Sequence, residues 1–233
     1  MTTADGVFKA DLHVHTRYSR DSWIPALKLG AVAKSKGLSA VAITDHNTAD
    51  GWLGAAEGCR AAGMPLIFGE EVLVKPDGKR AAGEIIGLFM NEFVDGKGKS
   101  AGDVMDALHA QGALAVFPHP FDPVRKIFAE DELHELAVKA DAVEVFNAKA
   151  RLGWPNKKAA EFAEEFNLAC TGGSDAHVSW EVGDAYTVAD CGDIEGLHVA
   201  IKKRKTRAEG HTSNPLGVLF PKLAVLRAKL FGV

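Results

Sequence analysis

Cysteine is scarce in this chain: Cys59, Cys170 and Cys191 are the three in 233 residues, odd in number and irregularly spaced. That excludes a disulfide scaffold and a cysteine-built zinc knot, and points to reduced thiols in a reducing compartment. Also missing is any uninterrupted apolar stretch of about 18 residues, so no segment reads as a membrane-spanning helix. The N-terminus lacks the basic stretch and apolar run of a secretory signal, and the expected compartment is cytoplasmic. Positive charge is not in excess: 27 Lys plus Arg stand against 31 Asp plus Glu, a formal net charge of −4. The broad electrostatic footprint of a nucleic-acid binder is therefore absent, although a local basic groove stays compatible with this balance. No internal repeat or low-complexity linker interrupts the chain. What is there, 47% apolar and 25% charged, is the composition of a globular domain of enzyme size.

Apolar, β-branched runs alternate with longer helical segments. Strands are predicted at 7–12, 40–44, 65–71, 113–118, 142–146, 168–171 and 185–188, and helices at 24–36, 50–62, 101–111, 129–140, 155–167 and 194–203. Asp50 and Ser100 stand where helix caps are wanted, and Pro155 suits a first turn. Gly37, Gly63 and Gly112 each follow a helix where a left-handed residue fits. One stretch breaks the alternation: 72–74 and 84–89 flank Pro76-Asp77-Gly78 and read as a β-hairpin, followed by a polar, Gly-rich loop at 91–99. The expected fold is α/β, a TIM-like (β/α) barrel of seven strands with a β-hairpin insertion after the third. The barrel domain is expected over 1–212 and an amphipathic C-terminal helix over 213–233. Leu216, Leu219, Phe220, Leu223, Leu226, Leu230 and Phe231 recur there at three- and four-residue steps, with Lys222, Arg227 and Lys229 between. That helix would pack on the barrel or at a homo-oligomer interface; attachment to a membrane surface is the alternative.

The chemistry gathers where the predicted strands end. The first runs into Asp11-Leu12-His13-Val14-His15-Thr16, where residues two apart share a face. The second ends in Thr44-Asp45-His46, the third in Gly69-Glu70-Glu71, the strand at 113–118 in His119-Pro120, and that at 168–171 in Gly172-Gly173-Ser174-Asp175-Ala176-His177. A cap or a satisfied histidine explains any one of these but not five in succession. In a parallel barrel such ends converge on one rim, and His with carboxylates there predicts a metal site. Gly98-Lys99-Ser100 is no phosphate-binding loop, because Phe93 occupies the position of its first glycine.

Taken jointly, Asp11-x-His13-x-His15-Thr16, Ser19-x-Asp21, Thr44-Asp45-His46, Gly69-x-Glu71, Pro118-His119-Pro120 and Gly173-Ser174-Asp175-Ala176-His177 resemble the PHP (polymerase and histidinol phosphatase) family, from Val7 to about Val188. The resemblance implies a distorted seven-stranded barrel and two or three divalent metal ions that hydrolyse phosphoesters. It implies that His13, His15, Glu71 and Asp175 hold one ion and Asp21, His46 and His177 a second, with Glu71 bridging to a third ion held by His119. Where relatives place a further histidine for the third ion this chain has Glu84, and Asp21 stands where some members have histidine. Both changes make the site richer in oxygen and favour Mn²⁺ or Fe²⁺, with Zn²⁺ also compatible. Four carboxylates against three divalent ions leave a net positive centre suited to phosphate.

The implied mechanism is in-line attack by a metal-bridging hydroxide, with Asp45 either fixing an imidazole from behind or serving as a turn or cap residue. Arg17, Arg20, Arg125, Lys126 and Arg151 lie in rim loops; Arg17, Arg125 and Arg151, with Asn147, are the candidate substrate-binding residues. His109, His134, His198 and His211 match no motif position. The implied activity is a metal-dependent phosphoesterase acting on a small phosphorylated substrate, a phosphomonoester, nucleotide or oligonucleotide end. Hydrolysis of a non-phosphate bond and a non-catalytic module of a larger assembly are the alternatives. No separate cap domain fits between Glu84 and His119.

Overall fold

The computed structural model describes residues 7–78, 82–218, 220–221 and 223–226. Its framework is one nine-stranded sheet in the order β7-β6-β5-β4-β3-β2-β1-β8-β9. The strands are β1 (Phe8–Asp11), β2 (Ala40–Ile43), β3 (Leu66–Val74), β4 (Gly83–Leu88), β5 (Leu114–Phe117), β6 (Ala142–Asn147), β7 (Ala169–Gly173), β8 (Ala185–Ala189) and β9 (Thr206–Gly210). Six helices, α1 (Leu29–Ser35), α2 (Trp52–Ala62), α3 (Ala101–Ala110), α4 (Glu130–Leu136), α5 (Gly153–Glu165) and α6 (Ile194–Lys202), accompany them.

β2 and β5 are buried along their whole length, as their unbroken apolar runs demand of strands covered on both faces. Phe8, Ala10, Leu12, Ala40, Ala42, Ile67, Ile86, Leu88, Leu114 and Val116 form one core cluster, joined by Leu197, Ala200 and Ile201 of α6. A second cluster packs α3, α4 and α5 against β4 to β6, and a third packs α1 and α2 against β2. The edges of the sheet meet through side chains: Gly172 N donates to Thr187 Oγ1 at 2.9 Å, and Thr206 Oγ1 to Cys170 O at 2.7 Å. The result is a mixed, nearly closed barrel.

Three expectations are corrected. Among the described residues there are nine strands, not seven. β3 runs unbroken from the barrel into what reads as a hairpin, and β4 then lies between β3 and β5, antiparallel to both; the return strand is a stave of the barrel, not an appendage. β8 is antiparallel to β1 and β9 to β8, so the sheet is not built of parallel units alone. The link from β7 to β8 carries no α-helix, and a parallel neighbour needs a longer crossover. β9, Thr206-Arg207-Ala208-Glu209-Gly210, is half-exposed and polar and so carried no apolar signal.

Ser100 caps α3 in a full capping box with Asp103. Asp50 caps nothing, since α2 begins after Gly51 without a side-chain cap. Gly37, Gly63 and Gly112 all take positive φ. In the C-terminal segment, Pro215–Val218 forms a 3₁₀ turn, Phe220 O accepts from Trp23 Nε1 at 3.0 Å, and the Phe220 ring meets Trp180 edge-on. Ala224 is buried while Leu216, Leu223 and Leu226 are exposed. Leu219, Lys222, Arg227, Lys229, Leu230 and Phe231 lie outside the described residues.

Candidate metal centre

The sequence motifs converge on one rim of the barrel. His13 and His15 lie just past the end of β1, in a stretch held extended by the parallel bridge of Val14 to Ala176 and by Val14 N donating to Thr44 Oγ1 at 3.0 Å. Their Nε2 atoms are 3.0 Å apart. His46 follows β2, and its backbone bridges to Glu71. Glu71 lies mid-strand in β3, not at a strand end, opposite Ile86. His119 follows β5, and Asp175 and His177 follow β7. His119 and Asp175 have positive φ, 30° and 53°. This conformation is rare outside glycine and costs on the order of 1–3 kcal/mol, so the surrounding contacts must hold it.

Glu71 is the hub. Its Oε1 lies 3.0 Å from His119 Nε2, and its Oε2 lies 2.9 Å from His46 Nδ1, 3.4 Å from His15 Nε2 and 3.5 Å from His13 Nε2. Asp175 Oδ1 stands 3.4 Å from His15 Nε2 and 3.8 Å from His13 Nε2. Asp21 Oδ2 stands 3.4 Å from His177 Nε2 and 3.6 Å from His46 Nε2. Four donor groups have their ligand atoms within 4.8 Å of one another: His15, His46 and His177; His13, His15 and Glu71; His13, His119 and Asp175; His46, Glu71 and Glu84. All nine residues expected as ligands are thus brought together. Glu84 is grouped with His46 and Glu71, and His119 with His13 and Asp175, a partition that differs from the expected pairing of Glu84 with His119.

The residues fit divalent ions on two grounds. Asp21 Oδ1 and His119 Nδ1 are buried without a hydrogen-bond partner, and Glu71 Oε2, although 2.9 Å from His46 Nδ1, makes no hydrogen bond of good geometry, whereas buried polar atoms are ordinarily satisfied. The Nε2 lone pairs are also left free. His13 Nδ1 pairs with Glu144 Oε1 at 2.9 Å and His177 Nδ1 with the Asp175 carbonyl at 2.8 Å, acceptors that place the proton on Nδ1.

Electrostatically, the carboxylates and imidazoles of the cluster hold one another in their charged forms. Burial disfavours charge on Glu71, yet His13 and His46 hold its carboxyl well below the usual range. Asp175 is likewise held down against burial by Arg125 and His13, and Asp21 by His177 and His46. His13, His46 and His119 are pushed up by carboxylates that outweigh their burial. His15, buried and facing His46 and His177, is pushed well down. Burial and the charge of Glu71 push Glu84 up.

The remaining expected site residues divide. Arg125 pairs directly with Asp175 Oδ2, and Asn147, fully buried, donates to Glu144 Oε2 at 2.9 Å and to Asp175 Oδ2 at 3.4 Å. Arg151 is exposed and donates to Pro215 O at 2.7 Å, and Arg17 is exposed and donates to Trp23 O at 3.2 Å. A cavity of about 610 Å³ adjoins Asp21 and His177; Arg125 and Arg151 line it and Arg17 does not. Arg20 and Lys126 are exposed. Asp45 accepts from Thr16 N and Thr16 Oγ1 and from Ser19 Oγ. His109 pairs with Asp141, and His134 packs on Phe162 and Phe166, away from the cluster.

Two residues escaped the reading of the sequence. Lys149 lines the cavity, its side chain 6% exposed, with Nζ 3.1 Å from Glu181 Oε2 and 3.4 Å from His177 Nδ1. Glu144 is buried behind His13. Its signal was a charge in mid-run of Ala142-Val143-Glu144-Val145-Phe146; Lys149 gave none.

Comparison with known proteins agrees with this geometry. The PHP domain family model matches residues 11–138, and the PHP-associated model matches residues 153–206. Two uncharacterized proteins of Methanocaldococcus jannaschii are similar. One is 39% identical over 158 residues, 64% of this chain and 86% of the relative; the other is 37% identical over 182 residues, 76% and 69%. A two-domain protein of Bacteroides vulgatus containing a predicted PHP-like metal-dependent phosphoesterase superposes with a TM-score of 0.72. That match covers 91% of this chain and 67% of that one at 21% identity, a likeness of fold. A rim of histidines and carboxylates on a distorted barrel, matched across both stretches of the chain, has one reading: this chain belongs to the PHP domain family.

Proposed function

We propose that this chain is a metal-dependent phosphoesterase that hydrolyses a phosphomonoester or nucleotide-type substrate. The observation that carries the reading is the coincidence of the four donor groups around Glu71 with a cavity bearing Arg125, Lys149 and Arg151. His13, His15, Glu71 and Asp175 would hold one ion, and Asp21, His46 and His177 a second. Glu84, Glu71 and His119 would serve a third. Mn²⁺, Fe²⁺ or Zn²⁺ suits this mixed nitrogen and oxygen set. When bound, such ions supply Lewis acidity and lower the pKa of water toward neutrality.

The chain's own residues do the rest. Arg125, anchored by Asp175, and Lys149, anchored by Glu181, present fixed positive charge beside the donor groups, where it stabilises a phosphoryl group's oxygens. Arg151, exposed, adds a further cation to the cavity lining. Pro123, Val124, Leu152, Pro155 and Pro221 give the cavity an apolar side that would receive the leaving group. The scarcity of cysteine supports a cytoplasmic setting, and no described helix is long and apolar enough to cross a membrane.

The test is a phosphoester panel run on metal-depleted and Mn²⁺-reconstituted protein, with Asp175→Asn alongside. Hydrolysis that needs the metal and is abolished in a folded Asp175→Asn supports the reading. Wild-type turnover in that variant at saturating Mn²⁺ overturns it.

A further inference from the structure

Glu144 belongs to none of the donor groups, yet two of its three hydrogen bonds end on residues that build them. It sits in the middle of β6, buried, among Ala142, Val143, Val145 and Phe146. Its Oε1 accepts from His13 Nδ1 at 2.9 Å. Its Oε2 accepts from His119 N and from Asn147 Nδ2, each at 2.9 Å. We infer that Glu144 is a positioning residue that holds His13 and His119 in their metal-binding geometry, an inference that rests on the metal reading of the cluster.

The two contacts do different things. A carboxylate is an acceptor, so the His13 proton sits on Nδ1 and the lone pair on Nε2, 3.0 Å from His15 Nε2 and 3.5 Å from Glu71 Oε2. The contact to His119 acts on backbone. With φ at 30°, His119 is in a sparsely populated conformation, and the bond from its N–H to Glu144 stabilises that turn and brings His119 Nε2 to 3.0 Å from Glu71 Oε1. One carboxylate therefore sets the ring of one proposed ligand and the backbone of another, just past the ends of β1 and β5.

The requirement is for a carboxylate and not merely a polar side chain. Three donors face its two oxygens. A glutamine has one acceptor oxygen, so its NH₂ would face either the His13 ring N–H or both His119 N and Asn147 Nδ2. Asn147 cannot relieve this by turning its amide over, because its Oδ1 already accepts from Lys149 N at 2.8 Å. Gly173 keeps the space open, since a methyl there would collide with His13 Cβ and Glu144 Oε1.

The experiment is Mn²⁺ titration of the metal-depleted full chain, as wild type, Glu144→Gln and Glu144→Asp, with circular dichroism as the control for folding. Glu144→Gln is expected to weaken Mn²⁺ binding by about 10–100-fold, as loss of a ligand's outer partner typically does, and Glu144→Asp to recover part of it. In parallel, ¹⁵N NMR of histidine-labelled, Zn²⁺-loaded wild-type protein should show His13 protonated on Nδ1. Wild-type Mn²⁺ affinity in Glu144→Gln, or a His13 proton on Nε2, overturns the inference. Should Glu144→Gln not fold, the wild-type spectrum decides. Neither readout depends on turnover, so a chain that fails every phosphoester but loses Mn²⁺ affinity on substitution refutes the proposed activity and leaves this role standing.

Discussion

Ser19 Oγ stands 2.5 Å from Asp45 Oδ1 and donates its single proton to that carboxylate. It can then only accept from its other neighbours, His15 Nδ1 at 3.2 Å and His46 N at 3.1 Å. His15 thus carries its proton on Nδ1 and turns Nε2 to Glu71 and Asp175. Asp45 acts on the imidazole through the serine, not by direct contact. Ser19→Ala removes the acceptor for both donors. The expected outcome is an activity that needs about tenfold more Mn²⁺ for half-saturation and recovers at high Mn²⁺. Turnover measured across a Mn²⁺ series checks it; an unshifted series overturns it.

Five of the nine proposed ligands are imidazoles, which Mg²⁺ binds poorly. Chelation should inactivate the protein, and Mn²⁺ or Fe²⁺ should restore activity better than Mg²⁺. Full recovery with Mg²⁺ alone would count against the assigned site.

Glu84 reaches the cluster from β4, grouped with His46 and Glu71. Replacing it with Ala should lower bound metal by one ion per chain in elemental analysis and cut turnover without unfolding the barrel. Unchanged metal content in Glu84→Ala would show that Glu84 is no ligand.

Glu70, the neighbour of the hub, is fully buried, with Oε1 unpartnered and Oε2 accepting from Val94 N at 3.2 Å. Burial, reinforced by Asp95, pushes its pKa up to about 8 from 4.5. The folded state therefore binds a proton that the unfolded state has released. This contribution to stability is complete below pH 4.5 and is lost as pH rises through 8, on the order of 3–5 kcal/mol in all. Glu70→Gln, which mimics the protonated form, should flatten that part of the stability profile. Denaturant unfolding at pH 6 and pH 9 measures it, and equal slopes in both proteins would refute it.

The C-terminal segment places Pro221 at the cavity and leaves Leu216, Leu223 and Leu226 exposed. We expect removal of 216–233 to change solubility or mass in light scattering while turnover on p-nitrophenyl phosphate persists, since an exposed apolar stripe calls for a partner surface. A soluble truncated protein of unchanged mass that has lost turnover would assign the segment to the cavity wall instead.

The local pattern of residues determined a good deal about this protein. Apolar runs bounded by Gly and Pro located eight of the nine described strands and helices α1 to α6, because burial and backbone preference act over a few neighbours. Most of the proposed ligands were legible because each is a polar residue at or beside an otherwise apolar strand, where its presence needs a chemical reason; Asp21 and Glu84 were named only through the family resemblance. What tertiary structure alone decided was pairing. Whether the return strand at Glu84 hangs off the barrel or closes into it depends on β5, which starts 26 residues past the end of β4 (Leu88 to Leu114), and no local pattern records a partner that distant. β9 is polar and half-exposed and holds its place through the ladder to β8 and the Thr206 bond to Cys170 of β7. Glu144 and Ser19 matter by what they face across the barrel, His13 from β1 in one case and Asp45 after β2 in the other. A hydrogen bond between residues far apart in the chain leaves no periodicity, so these roles became visible only once the sheet had curled and brought its strand ends together.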